Sequence, residues 1–172
     1  DAQSIKNAGK PLIVGGTAVD EHSPLMQFAD HAVTNEAEMV LDQLLQGLHD
    51  GKAEKLYRGI ATPPERFLVP DFSSINLNNY GSMAIQITRG CPEACEFCDI
   101  TARFGRAVRV TPAEKTRAAL TQAYNLGWRG VFFLVDDNFI GSPERTVHIL
   151  DDLWTIQEEL GYHFGKYTEL TL

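Results

Sequence analysis

Apolar and polar positions along this chain follow two periods in turn, and the second half shows it most clearly. Met83, Ile85 and Ile87 alternate with Ala84, Gln86 and Thr88, which predicts a strand with one buried face. Thr111-Pro112-Ala113-Glu114 has the spacing of a capping box with proline at the first helical position. It predicts a helix running to about Leu126, closed by Gly127. Residues 131–135 are continuously apolar, as expected of a strand covered on both faces. Ser142-Pro143 opens a second helix, whose apolar face is read as Val147, Leu150, Leu153, Trp154 and Leu160, with Gly161 as its stop. Residues 166–172 read as a third strand. Strand and helix alternating in this way predict an α/β fold with a parallel sheet and crossover helices. Three strands are too few to close a barrel, which takes roughly 200 residues or more, so residues 83–172 are expected to be the first part of one.

The first third reads as the end of another α/β unit. Leu12, Ile13 and Val14 form a short apolar strand that runs into Gly15-Gly16, and His31-Ala32-Val33 forms a second. Asn35, with Glu38 three residues on, has the spacing of a second capping box. Met39, Val40, Leu41, Leu44, Leu45 and Leu48 supply an apolar helical face, and Gly51 a stop. Pro63, Pro64 and Pro70, followed by a polar stretch over 73–79, mark 58–82 as a linker. The expected organisation is therefore one domain over 1–57, a linker over 58–82 and a second domain over 83–172.

Composition changes this picture little. The 172 residues are 44% hydrophobic and 22% charged, as in an ordinary globular protein. The net charge of -8 argues against general nucleic-acid binding, which needs cations to neutralise phosphates. No apolar run approaches the ~18 residues of a membrane span, and no signal peptide is legible. The chain opens on Asp1 and closes on a strand-like run, so it is expected to be part of a longer protein.

The chemistry lies in Arg89-Gly90-Cys91-Pro92-Glu93-Ala94-Cys95-Glu96-Phe97-Cys98-Asp99. All three cysteines of the chain fall here, in the spacing C-x3-C-x2-C, just beyond the first strand of the β/α series. An odd, clustered set does not suit a disulfide framework and points to a reducing, cytoplasmic setting. Thiolates are the natural ligands of iron in sulfide clusters. Three of them on a four-iron cubane leave one iron open to another ligand. A structural zinc would want four protein ligands, and His22, His31 and His49 are not at finger-like spacing.

This motif resembles that of the radical S-adenosylmethionine (SAM) superfamily. Gly90-Cys91, the run Cys95 to Ile100, Gly105-Arg106 and Arg109 are more narrowly similar to its cobalamin-binding-domain branch, which includes methyltransferases acting on hopanoids and bacteriochlorophylls. The resemblance implies a partial radical SAM (β/α) barrel preceded by the end of a Rossmann-like cobalamin-binding domain. It implies a [4Fe–4S] cluster on Cys91, Cys95 and Cys98, with SAM on the open iron and Phe97 against its adenine. By place and acidity, Asp136 and Asp137 stand where the family contacts the SAM amino group, although the family's glycines are replaced here. Glu169 stands near the region that meets the SAM ribose or sulfonium. Gly15 and Gly16 resemble a glycine pair that lets the backbone approach the cobalamin nucleotide tail; the family's Asp-x-His-x-x-Gly loop is absent.

The implied activity is cleavage of SAM to a 5′-deoxyadenosyl radical, followed by cobalamin-dependent methyl transfer to an unactivated carbon. The substrate would be a small or lipid-like molecule, and the electron donor a flavodoxin or ferredoxin. Cyclisation or oxidation without methyl transfer is the alternative enzyme reading, and a non-catalytic iron–sulfur electron carrier the alternative of a different class. Arg103, Arg106 and Arg109 are read mainly as solvated or charge-balancing, His148 and His163 as structural, and Trp128 and Trp154 as packing in or beside the helix layer.

Overall fold

A computed structural model of the chain describes residues 2–17 and 19–170. The chain divides into two compact units, residues 1–66 and 67–172. Residues 58–66 of the expected linker lie with the first unit and 67–82 with the second.

The first unit begins with a short helix, α1 (Ala2–Asn7), and builds a parallel sheet from β1 (Ile13–Val14), β2 (His31–Thr34) and β3 (Leu56–Arg58), in the order β1-β2-β3. Helix α2 (Leu41–His49) crosses from β2 to β3. Its Leu44 packs with Val33 and Tyr57, joined by Val40 and Leu48, while Leu45 stays exposed. The capping box expected at Asn35 does not form. Asn35 turns the chain at φ +59° and its amide donates to the Gly59 carbonyl, while Glu36 and Glu38 accept from Thr62. The helix proper then starts at Leu41 after a single 3-10 turn, without a side-chain cap. Local capping has lost here to tertiary hydrogen bonds.

The second unit carries the β/α alternation: β4 (Ser82–Ile85), β5 (Thr88–Arg89), α3 (Ile100–Phe104), β6 (Arg109–Val110), α4 (Ala113–Asn125), β7 (Val131–Leu134), α5 (Pro143–Leu160) and β8 (Lys166–Thr168). Strands β4, β7 and β8 form a parallel sheet in that order, with Ile85 opposite Leu134 and Leu134 opposite Thr168. No closed barrel forms among the described residues; the architecture is α/β with small parallel sheets. Met83 and Ile85 of β4, Ile87 just beyond it, and Phe132 and Leu134 of β7 meet α4 and α5 in one core. Phe72 and Trp128 also pack into that core. Phe132 is fully buried, with Phe164 edge-on at 5.0 Å. The opposite face of β7 is only half-covered: Phe133 stacks on Tyr167 at 4.8 Å and Val131 is exposed.

Two helical details depart from the sequence reading. Thr111 does not cap α4. Its hydroxyl donates to the Gln86 carbonyl, and Pro112 sits at the N-cap position instead of the first helical turn. The buried face of α5 is Thr146, Ile149, Leu153, Ile156 and Gln157, one position off the expected stripe, so that Val147, Leu150 and Trp154 are exposed. Leu153 belongs to both readings, and Trp154 lies beside His163 on the outer side. Gly161 ends α5 in the left-handed region, at φ +62°.

Candidate functional site

Strand β5 pairs antiparallel with β6, Thr88 opposite Val110 and Arg89 opposite Arg109. This two-stranded ribbon closes the base of the excursion over 90–108, which holds all three cysteines and α3. The cysteines are free thiols: Cys91 is buried at the base, and Cys95 and Cys98 are exposed further out. Cys98 N–H donates to the Cys95 carbonyl, so the last two share a tight turn. Phe97 lies between them in sequence and is 94% exposed, so its ring has no packing role within the described chain.

Four polar contacts pin the excursion to its surroundings. Cys91 N–H donates to the Gly105 carbonyl at 3.3 Å, and Arg106 Nη2 to the Pro92 carbonyl at 2.8 Å. Arg109 donates to the Phe104 carbonyl, and Arg145 of α5 to the Val108 carbonyl. Arg103 is paired with Asp99, four residues before it on α3, and this hydrogen bond holds the Asp99 carboxyl below its usual range. Arg103, Arg106 and Arg109, read from the sequence mainly as solvated or charge-balancing, thus each have a local partner.

The segment that follows β7 braces the loop. Asp136 Oδ1 accepts from the Ile87 and Thr88 N–H groups at 2.7 and 2.6 Å. Asp137 Oδ2 accepts from Gly90 N–H at 2.7 Å. Asn138 Nδ2 lies 3.8 Å from Cys91 Sγ, within donor reach of a sulfur. Three consecutive side chains thus hold residues 87, 88, 90 and 91. Asn138 was not singled out from the sequence, and only the run of three polar residues at a strand end marks it there. Glu169 stands one position beyond β8, exposed, and its carbonyl accepts from Phe139 N–H. Gly15 and Gly16 belong to the first unit, where they are exposed after β1, with Gly16 at φ +94°.

Asp136 is 4% exposed, and its second oxygen, Oδ2, is buried without a hydrogen-bond partner. Burial pushes its pKa from the usual 3.8 up to about 6, against the two backbone N–H donors that favour the anion; the nearby Asp137 carboxylate adds to the rise. Between pH 3.8 and about 6 the folded state keeps a proton that the unfolded chain releases. The contribution of Asp136 to stability therefore falls as pH rises through that window and levels off above it. A shift of this size corresponds to about 3 kcal/mol. Asp136→Asn keeps an oxygen for the two N–H groups and has no proton to lose, so its denaturation midpoint should be flat where that of the parent declines. An undiminished slope in the variant, measured by urea unfolding across this range, would assign the pH dependence elsewhere.

A [4Fe–4S] cluster fits the donor set. Three free thiols on one pinned loop are the soft ligands that iron–sulfur chemistry selects. Among the described residues no three His, Cys, Asp or Glu side chains converge as they would on a single metal ion. No helix among the described residues is long and apolar enough to cross a membrane.

The chain is 34% identical over 180 residues to an uncharacterized methyltransferase of Synechocystis sp., covering 99% of this chain and 33% of that protein. It is 29% identical over 167 residues to the hopanoid C-2 methylase of Rhodopseudomonas palustris, covering 94% of this chain and 32% of the methylase. With the bacteriochlorophyllide d C-12(1)-methyltransferase of Chlorobaculum tepidum it shares 24% over 159 residues, 86% of this chain and 34% of that enzyme. The chain is thus related to methyltransferases, and it spans about a third of the length of these curated relatives. No family model matches it.

Proposed function

We propose that this chain is the cluster-bearing part of a radical SAM methyltransferase of the cobalamin-dependent kind. The observation that carries the reading is the loop itself: Cys91, Cys95 and Cys98 at C-x3-C-x2-C spacing, pinned at the end of the first strand of a parallel β/α series. Its relatives' names supply methyl transfer as the reaction class. The hopanoid methylase among them supports a small or lipid-like methyl acceptor. The second unit would be the start of the (β/α) barrel, and the first the end of a cobalamin-binding domain.

In this proposal the three cysteines hold three corners of a [4Fe–4S] cluster and leave the fourth to SAM. Such a cluster, when bound, supplies the electron that cleaves SAM to methionine and a 5′-deoxyadenosyl radical, and cobalamin supplies the methyl group. The chain's own part is to bind and orient. Phe97 offers an uncommitted ring to stack on adenine. Asp136 and Asp137 make the strand end acidic, which favours the SAM ammonium, although one oxygen of each holds backbone of the cysteine loop. Glu169 is placed for the ribose or sulfonium side. Gly15 and Gly16 present bare backbone to a cobalamin nucleotide tail. The electron would come from a flavodoxin or ferredoxin, and the setting would be the cytoplasm.

The test is EPR of the full-length protein, reconstituted with iron and sulfide without oxygen and reduced with dithionite. A reduced-cluster signal that changes when SAM is added is the expected result. A signal indifferent to SAM would move the reading to an electron carrier, and bound zinc without a cluster would overturn it.

A further inference from the structure

We infer that Asn138 is a positioning residue for the cluster: its buried side-chain amide donates a hydrogen bond to the sulfur of Cys91 and so raises the reduction potential of the site. The inference rests on the proposed function, since it concerns the same cysteine. Asn138 is 1% exposed, and its Nδ2 is 3.8 Å from Cys91 Sγ, both groups being buried. Of the two ends of an amide only the nitrogen can donate, and a thiolate only accepts. The contact therefore becomes a stronger hydrogen bond when Cys91 carries negative charge.

The surroundings fix this contact. Asn138 follows Asp136 and Asp137, whose carboxylates hold residues 87, 88 and 90, so its amide has little freedom to swing away from residue 91. On the other side, Gly141 lies so close to Pro92 that a Cβ there would stand 3.0 Å from the proline ring. The segment after β7 and the base of the cysteine loop are thus packed against each other at both ends of Asn138.

An iron–sulfur cluster gains one negative charge on reduction, and part of that charge resides on the ligand sulfurs. A neutral donor aimed at one of them stabilises the reduced form more than the oxidised form, and hydrogen bonds to sulfur are among the levers that set cluster potentials. The effect is larger in a dry, low-dielectric place than at a surface. Cys95 and Cys98 are exposed, so Cys91 is the ligand at which the protein has this control.

The experiment is a redox titration of the full-length protein, with the cluster assembled and SAM left out, followed by EPR. Asn138→Leu removes the donor, and Asn138→Asp replaces it with an isosteric acceptor that serves as the second variant should the first fold poorly. Both are expected to assemble a cluster whose potential is more negative by at least the equivalent of a tenfold change in the oxidised-to-reduced ratio, about 59 mV for one electron. Thr111→Val removes a neutral hydroxyl that donates to the Gln86 carbonyl beside the ribbon and leaves Asn138, Asp136 and Asp137 untouched, and its assembled clusters should titrate like those of the parent. Asn138 variants that titrate with the parent, or a Thr111→Val shift as large as theirs, would overturn the inference while leaving the proposed function standing. A parent protein that assembles no cluster would overturn both.

Discussion

Cys95→Ala in the full-length protein is expected to abolish cluster assembly and SAM cleavage while leaving the fold unchanged. Cys95 is exposed and free, and its backbone serves only the turn to Cys98. Surface substitutions of this kind change stability by about 0.5 kcal/mol or less. The chemistry is far less tolerant. Two thiolates remain where three are needed to hold one cubane. Iron should fall from about four per chain toward zero, the charge-transfer absorption of the cluster should vanish, and 5′-deoxyadenosine should drop to background. Cys98→Ala should behave in the same way. Cys91→Ala should lose the cluster too but with an added stability cost, because Cys91 is buried against Asn138. A Cys95→Ala protein that still carries a full cluster and cleaves SAM would remove Cys95 from the ligand set and with it the reading of the motif.

The sequence made the cysteines legible because their chemistry is local: spacing and residue type are enough. The sheet was legible for a similar reason. Residues 83–87 and 131–134 alternate or run apolar in patterns that only a strand on a core satisfies, and the capping and stop residues Ser142-Pro143 and Gly161 bracket α5 correctly. The face of α5 was not legible, and the cause is physical. Its buried stripe contains Thr146 and Gln157, polar residues that a pattern reading assigns to solvent. Thr146 donates to the Phe139 and Ser142 carbonyls, and Gln157 accepts from Phe164 N–H while donating to the Leu153 carbonyl. Satisfied in this way they can be buried, and Val147, Leu150 and Trp154 are left outside. The two misread caps have the same origin. Asn35 and Thr111 stand at capping spacing in the sequence, but the fold uses them to reach Gly59 and Gln86. The bracing of the cysteine loop was hidden for a further reason: Asn138 and Cys91 are 47 residues apart, and no local pattern ties them. Asp136 and Asp137 could be placed at a strand end from the sequence, but not their hold on the β5 backbone.

That hold leads to the second large effect. Gly90 sits between the ribbon strand and Cys91 at φ +96°, and a Cβ built there would stand 2.6 Å from the Ala107 carbonyl oxygen and 3.1 Å from that of Gly105. Its own N–H is the donor that Asp137 accepts. Gly90→Ala therefore meets two costs at once. A non-glycine residue at this φ is strained by about 1–3 kcal/mol, and the close contact is with backbone, which cannot rotate out of the way. Relief requires the chain over 105–107 to move, and that is the stretch whose Gly105 carbonyl fixes Cys91 and whose Arg106 fixes Pro92. A combined loss of about 3–5 kcal/mol is expected, together with poor cluster assembly in whatever folds. Gly127→Ala is the matched control. Gly127 has nearly the same φ, +90°, but nothing stands within 4 Å of its would-be Cβ, and it closes α4 away from the cysteine loop. It should show the strain alone, a smaller drop in the unfolding midpoint, with iron incorporation intact. Equal stability losses in the two variants, with equal iron content, would mean that the close approach of residues 90 and 107 does not shape the loop. A large loss confined to Gly90→Ala, with iron lost in parallel, would tie the geometry of this one glycine to the placement of the first cysteine.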